Sequence, residues 1–187
     1  MSPRPVLFVY KEIVAGDLRK LLAQSNDSET GGGARDLRLP AKTFRPMMNR
    51  IFTKDATGRG GRQIRVADVT YVDEQHNVHQ TEIQYWPPTT SRPLEDRIAR
   101  IHANPALGGQ LPKSDRGRVF VLFIKFSDGT IRCAYAYEDD LRAKGKWSAE
   151  VSRAILGCMA SAAVRKDQRT VQGYYDFDEG KGFCHAD

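Results

Sequence analysis

The chain has 187 residues, of which 40 % are hydrophobic and 28 % charged, with a net charge of +6. This composition excludes an intrinsically disordered chain and is ample for a buried core. The longest apolar run near the start, residues 6–10, is too short for a secretory leader or a membrane span, so no membrane partner is expected.

Residues 6–10 read as a first buried strand, and residues 16–24 as a short helix whose Leu18, Leu21 and Leu22 form one apolar stripe. Residues 25–28 stop that helix, and Gly31, Gly32 and Gly33 mark a loop that needs unusual backbone angles. A short strand over 36–39 is ended by Pro40. One or two helical turns over 46–52 point Met47, Met48, Ile51 and Phe52 inward. Residues 57–62 form a flexible basic loop. Two β-rich runs, 63–72 and 78–85, form an antiparallel hairpin, and the prolines in 86–93 force an extended loop or arm. A short helix or irregular arm is expected over 94–102, then a polar surface loop over 108–116. Residues 119–126 and 130–137 pair as a hairpin across Ser127, Asp128 and Gly129. The longest helix spans 147–166, with Trp147, Val151, Ile155 and Met159 in its apolar stripe. Residues 167–187 carry five Asp/Glu against Arg169 and Lys181 and read as an acidic C-terminal tail, leaving 1–166 as one domain.

Charge is concentrated rather than spread. Residues 34–66 hold nine cations (Arg35, Arg38, Lys42, Arg45, Arg50, Lys54, Arg59, Arg62 and Arg65) against Asp36 and Asp55, a net of +7. The rest of the chain therefore sums to −1. A patch of this kind fits a polyanion, the competing reading being a solvated cationic face. Trp86 is either a stacking aromatic for a base or a hairpin-end residue.

Catalytic groups are thin. The glycine triplet follows a helix and precedes a strand, which fits neither a P-loop nor a dinucleotide loop. A metal-dependent nuclease needs an Asp and a Glu-x-Lys on a buried strand. Asp176, Asp178, Glu179 and Lys181 come nearest, but they sit among glycines in the tail. Three cysteines at wide spacings (Cys133, Cys158 and Cys184) show no metal-ligand pattern and point to a reducing, cytoplasmic compartment. Cys133 and Cys158 read as packing residues, while Cys184 with His185 could form a thiol–imidazole pair. No cofactor or metal is expected.

Residues 18–40 hold a helix, Asn26-Asp27, Thr30-Gly31-Gly32 and, five residues on, Arg38-Leu39-Pro40. This stretch resembles the effector-DNA-binding domain at the N-terminus of type IIE restriction endonucleases. A second stretch, residues 92–101 with Arg92, Arg97 and Arg100, resembles that family's later basic arm. The resemblance implies a DNA-binding pseudobarrel, α+β with an antiparallel barrel-like sheet and flanking helices. It further implies two arms that grip duplex DNA. Arg38 falls where the family has an aromatic contact, Gly33 where it has a histidine, and Arg97 and Arg100 on basic arm positions. Arg38 and Arg97 would then pinch the duplex from opposite sides.

The expectation is a double-stranded DNA-binding protein that does not cut, linked to restriction or phage defence. Arg35, Arg38, Lys42, Arg59, Arg62, Arg97 and Arg100 are its contact residues. Arg38 and Arg97 would read bases, and Arg59 and Arg62 would grip phosphates. The alternatives are a small metal-dependent nuclease using the C-terminal acids, or a module for a small anionic ligand.

Overall fold

The computed structural model describes residues 3–22, 35–91, 93–161 and 170–186. The glycine triplet with Gly33, the helix stop at 25–28, and Arg92 lie outside them. The class is the expected one: mixed α+β, with a curled, barrel-like antiparallel sheet and flanking helices. The chain divides into two compact units, residues 15–111 and residues 1–14 with 112–187.

In the discontinuous unit, strands β1 (Pro5–Glu12), β7 (Val119–Phe126), β8 (Ile131–Tyr137), β9 (Val171–Asp176) and β10 (Lys181–Ala186) run in the order β10-β9-β1-β7-β8. Every pairing is antiparallel. The alternation of Phe8, Tyr10, Phe120, Leu122 and Ile124 builds one apolar face. Helix α4 (Ala149–Met159) covers it with Val151, Ile155 and Cys158. Ser148 caps that helix by accepting the Val151 N–H at 3.3 Å. The helix starts after the half-buried Trp147, two residues later than expected, and ends at Met159 with Ala160 as its C-cap; the expected residues 162–166 lie outside the described ones. A short helix α3 (Glu138–Arg142) follows β8. Gly173 has room for no side chain, since a Cβ there would lie 2.2 Å from the Phe183 carbonyl oxygen and 2.4 Å from the Tyr10 hydroxyl. Glu12, 8 % exposed, takes both Arg118 Nε (2.6 Å) and Nη2 (2.5 Å), and also the Val171 N–H at 2.8 Å. One carboxylate thus fastens β1, β7 and β9.

Two expectations are corrected in this unit. Residues 171–186 are not a tail: β9 pairs along β1 from Leu7↔Asp176 to Lys11↔Gln172, and β10 pairs along β9. The acidic composition misled because its charges sit at the strand junction while Val171, Gln172 and Gly173 are buried. Cys158 and Cys184 are joined by a disulfide, their Cα atoms 5.4 Å apart, which fastens β10 to α4. Cys158 is therefore more than packing, and Cys184 is not available as a thiol for His185. Cys133 takes no part in the disulfide and is buried in β8, where burial pushes its thiol pKa up.

In the other unit, helix α1 (Ala15–Leu22), β2 (Leu37–Pro40), α2 (Ala41–Ile51), β3 (Lys54–Thr57), β4 (Gln63–Val72), β5 (Val78–Trp86) and β6 (Glu95–Ala99) follow in sequence. The strands run in the order β3-β4-β5-β6-β2, again antiparallel. Leu21 of α1 is buried, whereas Leu22 is 54 % exposed and the buried Asp17 takes its place in the stripe. The β4–β5 hairpin has the expected bounds to within one residue.

Helix α2 begins five residues before the expected start and carries Pro46 inside it. Proline there forfeits one helical hydrogen bond. Phe44, Met48 and Ile51, all 0 % exposed and spaced four and three residues apart, offset that loss by burial. The expected helix or arm over 94–102 is corrected to the strand β6. Leu94, Ile98 and Ile101 have helical spacing, but Leu94 is 74 % exposed, and it is the alternation of Asp96 and Ile98 that faces the core.

Candidate nucleic-acid interface

The side chains of a strand alternate between its two faces, and this rule sorts the residues of β2, β5 and β6. Leu37, Leu39, Tyr85, Asp96 and Ile98 are buried. Arg38, Trp86 and Arg97 fall on the opposite face, in one row, because Arg38 pairs with Arg97 and Arg97 with Trp86 in the ladder. The two arginine-bearing arms are one β-ladder. Arg38 and Arg97 are side by side and do not face each other across a gap, so the pinching geometry is corrected.

Each member of the row is held by neighbours. Arg38 Nη1 lies 3.3 Å from Glu95, with its side chain 47 % exposed. Arg97 Nη1 donates to Asp36 at 3.2 Å and is only 12 % exposed. Its guanidinium sits over the Trp86 ring at 5.7 Å from the centroid, and that of Arg62 sits over the same ring at 4.9 Å. Arg62 also donates to the Pro87 carbonyl. Trp86 is half-buried, with Nε1 donating to Gln84 at 3.3 Å. It is the hairpin-end aromatic, and the ring holds arginines in place.

The basic loop at 57–62 is a built turn. A 3-10 turn at Arg59–Gly61 is closed by Gly58 N–H donating to Arg62 O at 2.7 Å, and Gly60 and Gly61 both sit at φ 74°. Only glycine takes that backbone without strain, so the turn delivers Arg62 to the Trp86 ring and leaves Arg59 exposed.

Arg35 and Arg100 join the row from the strand ends. Ile101 N–H donates to Arg35 O at 3.1 Å. Asp36 accepts the Arg100 N–H at 3.4 Å on the carboxylate that also holds Arg97. Arg100 has a left-handed backbone (φ 55°) and an exposed side chain. Arg35 Nη1 lies 3.2 Å from His102 Nε2. Lys42 lies in the first turn of α2, exposed.

The tertiary structure redistributes the +7 of residues 34–66. Arg38, Arg45, Lys54 and Arg65 face Glu95, Asp96, Asp68 and Asp55. Three of those carboxylates come from outside the basic segment. Across residues 15–111 there are fourteen Lys/Arg and eleven Asp/Glu, a net of +3. Among the described residues, Lys42, Arg59 and Arg100 face no carboxylate within ion-pair distance. Sequence reasoning missed Asp36, Glu95, Asp96 and His102, whose roles arise from strand register. The period-2 alternation of residues 95–99 was the available signal.

Asp96 lies beneath the row, 0 % exposed, near the Tyr85 hydroxyl and 3.8 Å from Arg45 of α2. Burial raises its carboxyl pKa, while Tyr85 and Arg45 oppose that shift.

Of the acids in the nuclease alternative, Asp176 and Asp178 hold structural contacts. Asp176 is 1 % exposed, and its Oδ1 accepts the N–H groups of Asp178 (3.0 Å) and Glu179 (3.2 Å). Asp178 pairs with Arg4 at 2.8 Å. Among the described residues no three His, Cys, Asp or Glu converge on a metal position, and no helix is long and apolar enough to cross a membrane.

No family model, no curated protein and no solved structure matches this chain.

Proposed function

We propose that the protein binds double-stranded DNA without cutting it, through the outer face of β5, β6 and β2 and the Arg59 turn. The observation that carries this reading is the convergence of Arg35, Arg38, Arg62, Arg97 and Arg100, from three separate stretches of the chain, onto one ladder and its ends. Several of these guanidiniums are fixed by stacking or by a carboxylate, which lowers the entropy cost of presenting their remaining N–H donors to phosphate or a base edge. Arg38, half-exposed on the ladder, is the candidate reader. Lys42, Arg59 and Arg100 are the candidate grips. Arg97, largely covered, positions the row.

The setting in restriction or phage defence rests on the family resemblance alone. The cytoplasmic setting rested on unpaired cysteines, and the Cys158–Cys184 bond removes that support, since disulfides persist chiefly in oxidising compartments.

Fluorescence anisotropy on a random-sequence duplex at several salt concentrations tests the reading. Binding should weaken with a slope of about −0.9 in log K per phosphate contact. Absence of binding at low salt refutes it. Incubating plasmid with the protein and magnesium or manganese should leave it intact, whereas cleavage lost in Glu179→Ala would favour the nuclease.

A further inference from the structure

His102 stands at the end of the arginine row, and its surroundings define a subsite the rest of the face lacks. A guanidinium only donates, so the 3.2 Å contact makes His102 Nε2 the acceptor from Arg35 and puts the neutral ring's proton on Nδ1. Nδ1 is buried and has no hydrogen-bond partner among the described residues. The ring is therefore held as a neutral acceptor facing a cation.

The charged groups around it come from each packed element. Arg35 and Asp36 come from the entry to β2, and Arg100 from the residue before the 3-10 turn Ile101–Ala103. Asp17 and Lys20 of α1, which packs on that turn, are paired with each other at 3.2 Å, and Lys20 also donates to the Asp36 carbonyl. Among the described residues, the balance facing the ring is two guanidiniums against one carboxylate already shared with Arg97 and the Arg100 N–H.

We propose that Arg35, His102 and Arg100 form a proton-linked phosphate subsite, in which a bound phosphate group draws a proton onto His102 Nε2. This inference rests on the duplex-binding reading and names the chemistry of one of its contacts. In the free protein, desolvation first, and then Arg35 and Arg100, hold the ring below its ordinary pKa, with Asp36 opposing. A phosphate between Arg35 and the ring offers Nε2 an acceptor and neutralises the cations. The proton comes from the solvent, and N–H donation to a phosphate oxygen replaces acceptance from Arg35. By linkage, binding takes up a proton and strengthens as pH falls through the ordinary histidine range near 6.5.

The His102 ring is followed by NMR through a pH titration of the whole protein, alone and with inorganic tripolyphosphate. Duplex affinity is measured in parallel from pH 8 to 5.5. Tripolyphosphate should raise the His102 pKa by about one unit, and duplex affinity should rise up to about tenfold on acidification. His102→Gln and His102→Asn, which keep an acceptor but cannot titrate, should flatten that rise, while His76, His79 and His185 stay as internal controls. Arg35→Gln should raise the His102 pKa in the free protein, and this readout decides if the His102 variants fail to fold. Duplex binding with an unmoved His102 pKa, or with the same pH rise in His102→Gln, overturns the subsite and leaves the duplex reading standing. A His102 pKa raised by tripolyphosphate without any duplex binding supports the subsite and refutes the duplex reading.

Discussion

Arg38 and Arg97 are neighbours in one ladder and are held in different ways. Arg97 is 12 % exposed, paired with Asp36 and stacked on Trp86, whereas Arg38 is half-exposed beside an exposed Glu95. Arg97→Ala strips Asp36 of its charge partner and uncovers the indole, and should cost roughly 1–2 kcal/mol in urea unfolding. Arg38→Ala should leave stability within about 0.5 kcal/mol while costing roughly 1–3 kcal/mol on a preferred duplex selected from a random library, and little on random DNA. Equal loss on all sequences would make Arg38 a phosphate contact. Beneath them, Asp96 carries a raised pKa, so its proton binds more tightly folded than unfolded, and its contribution falls as pH rises above the unfolded carboxylate range. Arg45→Met should therefore destabilise at pH 7, where Asp96 loses its counter-charge, and much less near pH 4. Asp96→Asn should remove that difference. Chemical denaturation at the two pH values reads both.

At the scale of elements, the Arg59–Gly61 turn decides what Arg62 can do. With Gly60 and Gly61 both at φ 74°, any side chain there is strained even though the space is open. Gly60→Ala should cost on the order of 1 kcal/mol, shift the Trp86 emission as Arg62 leaves the ring, and weaken binding to all duplexes alike. Unchanged emission would mean the turn does not hold the stack. The two hairpins were legible because alternation is local and specific. Strand β6 and the first half of α2 were not. Leu94 and Ile98 mimic a helix, and Pro46 mimics a helix start; only burial against a partner element settles either choice.

At the scale of the whole molecule, the C-terminal segment is structure. The disulfide closes a 26-residue separation and fastens an exposed strand to α4, so Cys158→Ser should cost roughly 2–4 kcal/mol and lower Tm by about 4–16 °C. Reductant should produce the same fall in the wild type and none in the variant. Cys133, buried in β8, should resist iodoacetamide until the protein unfolds. An equal Tm with and without reductant would deny the bond a stabilising role.

By itself the sequence determined the two long hairpins, the amphipathic face of α4 and the cluster of cations over residues 34–66. The hairpins and the helix face are written in spacings of two to four residues, whereas the class came from the resemblance of residues 18–40 and 92–101 to a known family. Only the tertiary structure decided which cations stay free and which cysteines pair. Asp36 meets Arg97, Glu95 meets Arg38 and Cys158 meets Cys184 across separations of 61, 57 and 26 residues. Charge summed along a chain counts neighbours in sequence, whereas Coulomb attraction and covalent pairing act between neighbours in space.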